Sequence, residues 1–183
     1  HRVLKGETRL RTSEIKLRDG KIFWLAVFDV PQERHDLRPD IIAEASLSLE
    51  YPITAKVGSN RLNIGTKEEF LYRRLAIQAA RKRALDASKY TKGGHGKSRK
   101  LKAVDRFRDK EANYVTQRLH VYSRKLIDFC VKHRAGTLIL MDQEEKMEAA
   151  REQGFVLRNW NYHELMTKIG YKAKKAGIEL IVG

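Results

Sequence analysis

The stretch Ile41 to Val57, IIAEASLSLEYPITAKV, constrains the fold more than any other part of the chain. Ile41, Ala43, Ala45, Leu47 and Leu49 alternate with Ile42, Glu44, Ser46, Ser48 and Glu50. A period of two predicts a strand with two different faces. One face is apolar, and the other carries Glu44, Ser46, Ser48 and Glu50, a row of short polar and acidic groups suited to lining a cleft. After Tyr51-Pro52 the apolar pattern resumes, and Gly58-Ser59-Asn60 turns the chain into a hairpin partner, Arg61 to Gly65. This is the expected first strand of a parallel or mixed sheet.

Other segments supply the layers around it. Asp19-Gly20 between two apolar runs signals a hairpin. In the run IFWLAVFDV, Trp24 and Phe28 read as core residues of a small barrel or sheet. Gln32 to Asp40 is polar and contains Pro39, so a boundary is expected there, giving domains 1–38 and 39–183. Because the chain begins with His1, it reads as a segment of something longer, with Arg2 to Pro31 the tail of a preceding domain. Lys67 to Lys89 is a helix, after which Gly93, Gly94 and Gly96 are expected to break any helix. Val104, Phe107, Val115, Leu119, Tyr122, Leu126 and Phe129 recur at helical spacing and predict a long amphipathic helix over Asp105 to His133, ended by Ala135-Gly136. Thr137 to Met141 reads as a buried parallel strand that delivers Asp142, Gln143, Glu144 and Glu145 to its carboxyl end, where open α/β sheets place their sites. Asn161 to Ala176 is a second amphipathic helix, and Ile178 to Val182 is the last strand. The sum is a three-layer α/β domain.

Charge narrows the partners. The formal net charge is +15, more than solubility requires, which favours a polyanion. Residues 81 to 110 hold twelve Lys or Arg against three Asp, a net of +9. That concentration reads either as a solvated mobile loop or as a segment tracking phosphates, with glycines letting the backbone come close. His95 has no cluster of ligating residues around it, so a loop histidine near phosphate is the simpler reading than a metal ligand. The one cysteine, Cys130, excludes a disulfide framework and fits a reducing compartment. No apolar run approaches the roughly 18 residues of a membrane span, so a soluble segment is expected.

The segment GKSRKLKAVDRFRDKEANYVTQRLHVYSRKLIDFCVKHRAGTLILMD, followed by RNWNYHELMTKIGYKAKKAGIELIVG, resembles the RuvC nuclease domain of TnpB transposon proteins and compact type V CRISPR effectors of the V-F kind. The similarity runs in order over residues 41–183. It implies an RNase H-like RuvC domain, a mixed sheet flanked by helices, incomplete at its carboxyl end and preceded by the last strands of an oligonucleotide-binding β-barrel. It also implies a bacterial, cytoplasmic and nucleoid-associated protein whose partners are guide RNA and target DNA. A second copy of the chain is a further partner by the same resemblance, and a zinc ribbon would follow Gly183.

Proteins of this kind cut DNA with carboxylates that hold Mg²⁺, an Asp on the first strand and a Glu after the middle strand. Matching Leu49-Glu50-Tyr51-Pro52 to the first strand puts that Asp at Ser46, and matching Gly136 to Leu140 puts the Glu at Met141. A hydroxyl and a thioether do not replace two carboxylates around a hard cation. The leading expectation is therefore no enzyme and no Mg²⁺: RNA-guided DNA binding without cleavage, used to regulate transcription or to recruit a partner such as a sigma factor, polymerase or transposition protein. The alternative is an active Mg²⁺-dependent endonuclease with Glu44, Glu50 or Asp142 as substitute ligands. Against it, Asp142 points to the opposite face of an ideal strand and Glu44 lies two residues, about 6.6 Å, away. A third reading is a basic RNA-binding protein without a guide. The expected backbone contacts are Arg73, Arg74, Arg81, Lys82, Arg83, Lys97, Arg99, Lys100, Lys102, Arg106, Arg108 and Arg158. Tyr90 is a weaker candidate, and Trp160 reads as a packing residue at a helix start.

Overall fold

A computed structural model of the chain describes residues 5, 8–18, 20–29, 31–48, 50–90, 94–141 and 162–183, the side chains at 94–97, 100 and 162 excepted. Seven strands and three helices are described: β1 Glu14–Arg18, β2 Lys21–Leu25, β3 Arg38–Ser46, β4 Ile53–Val57, β5 Asn60–Ile64, α1 Lys67–Lys89, α2 Gly94–Lys132, β6 Ala135–Leu140, α3 Tyr162–Ala176 and β7 Glu179–Val182. β1 and β2 form an antiparallel pair closed by the turn at Gly20, as the Asp-Gly signal predicts. The other five make one mixed sheet in the order β5-β4-β3-β6-β7. β3, β4 and β5 run as an antiparallel meander, and β6 and β7 lie parallel to β3.

Alternation along β3 does what its sequence requires. Ala43, Ala45 and Leu47 are buried, whereas Ile42 and Glu44 are exposed. The buried side continues through Ile53 and Ala55 of β4, Ile64 of β5 and Leu138 and Leu140 of β6. Leu119, Tyr122, Leu126 and Cys130 of α2 and Leu165, Ile169 and Ala173 of α3 close the core over it.

Glycine decides two joints. Gly65 has φ 74 between β5 and α1, and a Cβ there would lie 2.8 Å from the Tyr122 ring and from Pro52 Cγ. Thr66 follows as the N-cap, its Oγ1 accepting from the Glu69 N–H at 3.1 Å, so the helix starts where the chain leaves the sheet. At Gly136 a Cβ would sit 2.7 Å from the backbone carbonyl of Arg38. Its small size lets β6 approach β3.

Several expectations are corrected. Gly136 does not end α2, because Ala135 and Gly136 already belong to β6; Arg134, at φ 56, makes the turn. Nor do Gly94 and Gly96 break a helix, and Gly93 lies outside the described residues. α2 begins at Gly94 and runs 39 residues, because the helix formers from Lys97 onward offset the roughly 1 kcal/mol each glycine costs. Trp24 and Phe28 are 63% and 41% exposed, so among the described residues they fill no core. The first strand ends at Ser46, which breaks the predicted polar row. Ser48 instead folds into the turn, its Oγ donating to the Tyr51 carbonyl at 2.8 Å and accepting from the Tyr51 N–H at 3.1 Å. Glu50 is exposed in the same turn, its carbonyl accepting from the Lys67 N–H at 2.8 Å.

Candidate functional site

The carboxyl ends of β3 and β6 meet where the sequence places the two substituted positions. Ala45 pairs with Leu140, and the Met141 N–H donates to the Ala45 carbonyl at 2.9 Å, so Ser46 and Met141 stand side by side. They share the sheet face opposite the core, with Thr54 of β4 directly across from Ser46. Glu44 lies on this face one pair further back, between Lys56 of β4 and Ile139 of β6. Ser46 is half-buried, and Met141 is 54% exposed.

These groups do not fit Mg²⁺. The cation takes oxygen ligands and is held through carboxylates, whereas this surface offers a hydroxyl, a thioether and one carboxylate opposite an ammonium. Among the described residues no group of three His, Cys, Asp or Glu is placed to hold a metal ion. Asp142 lies outside the described residues, as do Arg158 and Trp160.

The basic positions divide by environment. Arg99, Lys102 and Arg106 are exposed and, at spacings of three and four, form one stripe along the first half of α2. Arg108 is exposed on another side, with Asp105 at 3.7 Å and Asp109 at 3.9 Å. Lys82 and Arg83 are exposed near the end of α1, and Arg73 is exposed earlier on it. Lys97 and Lys100 lie within α2.

Arg74 is corrected from surface contact to interior clamp. Its Nη2 lies 2.9 Å and its Nε 3.1 Å from Glu111 Oε1, which also accepts from Gln78 Nε2 at 2.8 Å. Its guanidinium stacks over Phe70 at 5.4 Å. Such a buried charge fixes α1 against α2 and is shielded from phosphate. Arg81 is partly buried, and its Nε is enclosed without a hydrogen-bond partner among the described residues.

A cationic knot between α2 and α3 escaped the sequence reading. Lys172 Nζ donates to the His120 carbonyl at 2.6 Å and to Ser123 Oγ at 2.7 Å. Lys168 Nζ, paired with Glu164 at 2.9 Å, lies 3.4 Å from His120 Nε2, and Tyr171 Oη lies 3.2 Å from His120 Nδ1. Both contacts suit a neutral ring with its proton on Nδ1. Burial, then Lys168 and Lys172, pushes the His120 pKa down, and burial with Lys168 and Arg124 brings Lys172 to about 8. The i, i+4 spacing of Lys168 and Lys172 was visible, but the facing histidine 48 residues earlier was not. Burial also pushes the Cys130 thiol up to about 12, so it is inert packing.

No family model matches the chain. A CRISPR-associated endodeoxyribonuclease Cas12f1 from Sulfoacidibacillus thermotolerans is 30% identical over 190 residues, covering 98% of this chain and 43% of the relative. A protein of the same name from an uncultured archaeon is 25% identical, over 98% of this chain and 35% of that one. The cryo-EM structure of a Cas12f1–sgRNA–target DNA complex matches with a TM-score of 0.73 at 25% identity, over 99% of this chain and 37% of the solved one. The chain is homologous to Cas12f1. It spans about two fifths of the length of these relatives. The match supports the mixed α/β RuvC-type fold expected from the sequence, and a second Cas12f ternary complex, with a TM-score of 0.63 at 22% identity, has the same fold.

One expectation is corrected by the Cas12f1 relatives. The sequence reading held the chain to be no enzyme, whereas these relatives, and one from Syntrophomonas palmitatica at 28% identity, are named endodeoxyribonucleases. The solved Cas12f1 neighbour is a complex with sgRNA and target DNA. No described helix of the homologue is long and apolar enough to cross a membrane.

Proposed function

We propose that this chain is the RuvC-type portion of an RNA-guided effector that engages DNA through guide pairing while the protein holds the backbone. Guide RNA and target DNA are its partners in this reading. The observation that carries it is the stripe of Arg99, Lys102 and Arg106 on α2, on a fold whose solved neighbour is a complex with both nucleic acids. Guanidinium and ammonium groups at helical spacing neutralise successive phosphates without reading bases. Sequence choice then rests with the guide, and binding is separable from strand cleavage.

The relatives' endodeoxyribonuclease activity favours a second reading, an endonuclease whose carboxylates lie away from Ser46 and Met141. Glu44 is the described carboxylate on that face, and Asp142 follows directly in sequence. Both readings are tested on one sample: full-length protein with its native RNA, a matched plasmid and Mg²⁺, scored for binding and for strand breaks. Guide-dependent binding supports the first, and equal affinity for matched and unmatched plasmids overturns it. Target-dependent cutting that disappears in Glu44→Gln supports the second; an intact plasmid, or cutting that Glu44→Gln leaves unchanged, refutes Glu44 as a ligand.

A further inference from the structure

The sequence reading treats α1 as a carrier of positive charge, and the structure gives one of its faces a different character. α1 and α2 are antiparallel: Arg74 meets Glu111, while Glu69 accepts from Tyr114 Oη at 3.0 Å and pairs with Arg118 at 2.7 Å. Beside this clamped seam the two helices leave an open groove of about 480 Å³. Ala76, Ile77 and Ala80 of α1 and Phe107 of α2 give it an apolar strip, with Arg73 and Lys110 as its cations and Asn113, Tyr114 and Gln117 completing the α2 side. Positions 73, 76, 77 and 80 lie on one helical face, as do 107, 110 and 114, so the groove follows the helix axes. Among the described residues that line it, none is acidic.

We propose that this groove is a docking site for a protein partner that presents an acidic amphipathic helix. A cleft between two antiparallel helices is complementary in shape to a third, and two alanines in its floor let another backbone come close. An apolar floor between two cations selects a helix with small or aliphatic residues on one face and Glu or Asp flanking them. Nucleic acid fits this surface less well. The amides of Asn113 and Gln117 bond a base edge or a carboxylate side chain equally, so the apolar floor decides: Ala76, Ile77 and Ala80 offer no stacking plane. The aromatic rings are engaged, Phe107 with Lys110 at 5.5 Å and Tyr114 with Arg118 at 5.3 Å, and the Tyr114 hydroxyl is bonded within the hairpin. The stripe of Arg99, Lys102 and Arg106 serves phosphate, and the groove serves protein.

The test separates docking from simple charge attraction. The probe is a fluorescent 18-residue peptide with Leu and Ala at i, i+3, i+4 and i+7 and Glu at the remaining positions, titrated by anisotropy into the full-length protein. A scrambled peptide of the same composition and a 20-nucleotide single-stranded RNA are the controls. Ala80→Arg fills the groove while adding positive charge. It is expected to weaken the amphipathic peptide about tenfold and to leave RNA affinity the same or slightly higher. Arg73→Gln with Lys110→Gln, both exposed, is expected to weaken the same peptide with the floor intact. Equal affinity for peptide and scramble, or unchanged or tighter peptide binding by Ala80→Arg, overturns the proposal. Loss of RNA binding in Ala80→Arg, with melting temperature retained, would assign the groove to nucleic acid instead.

Discussion

Arg74→Gln separates a structural arginine from the basic residues proposed to hold phosphates. Arg74 and Glu111 are 9% and 14% exposed, and Glu111 Oε1 receives two donors from Arg74 and one from Gln78. Removing one member of such a buried pair leaves the other charge without its counterion and costs about 3–5 kcal/mol. The Gln78 donor remains on Glu111, which points to the lower end, about 3 kcal/mol. At roughly 2–4 °C per kcal/mol for a chain of this size, the melting temperature should fall by about 6–12 °C. Removing both charges, Arg74→Met with Glu111→Met, should recover most of that loss, because no orphan charge is left behind. Thermal melts of the full-length protein give the first quantity, and RNA affinity against salt gives the second. The salt slope should not change. A variant that melts within about 1 °C of the wild type, or whose slope drops by one phosphate contact, would refute the assignment of Arg74 to the helix clamp.

Two further outcomes follow from the same geometry. Replacing Arg99, Lys102 and Arg106 together by Gln should leave the melt unchanged and reduce the slope of log affinity against log salt by about 2–3, uniformly across sequences; a change in sequence preference would argue for base contact. His120 has its pKa held below the ordinary 6.5, so protonation opposes the fold, with Lys168, Lys172, Glu164 and Tyr171 as the groups facing it. Its contribution is present above pH 6.5 and is lost as pH falls through the depressed value. Melting temperature should therefore decline between pH 7 and pH 5 more steeply in the wild type than in His120→Gln, and parallel profiles would remove His120 from the pH response.

What the sequence disclosed follows from the range over which its signals act. The alternation from Ile41 marks β3, and the stripe through Leu119, Tyr122 and Leu126 marks α2, because each pattern reports a face and each face is buried as a unit. Ser46 and Met141 stand side by side at the ends of β3 and β6, and the role that the resemblance assigns to them is an expectation. Pairings between distant segments were not legible. Nothing near Arg74 announces Glu111, and nothing near Lys172 announces His120, since charge in sequence looks the same whether it meets water or an opposing helix. The glycines misled for a similar reason. Gly136 resembles a helix stop in one dimension, but its role is the approach of β3, a strand that begins 98 residues earlier. The helix that passes through Gly96 is held by residues further along it, which a local breaker rule does not weigh.

The length of α2 has a mechanical consequence. Its second half is embedded in the core at Tyr122 and Leu126, while its first half, with Arg99, Lys102 and Arg106, is braced by α1 through Arg74 and Glu111. The distance from Tyr122 to the Gly94 end is about 42 Å at 1.5 Å per residue. By helix geometry, a tilt of about 5° where Tyr122 packs on Gly65 corresponds to a displacement of roughly 4 Å at the Gly94 end, so the placement of the basic stripe depends on how closely that one contact is packed.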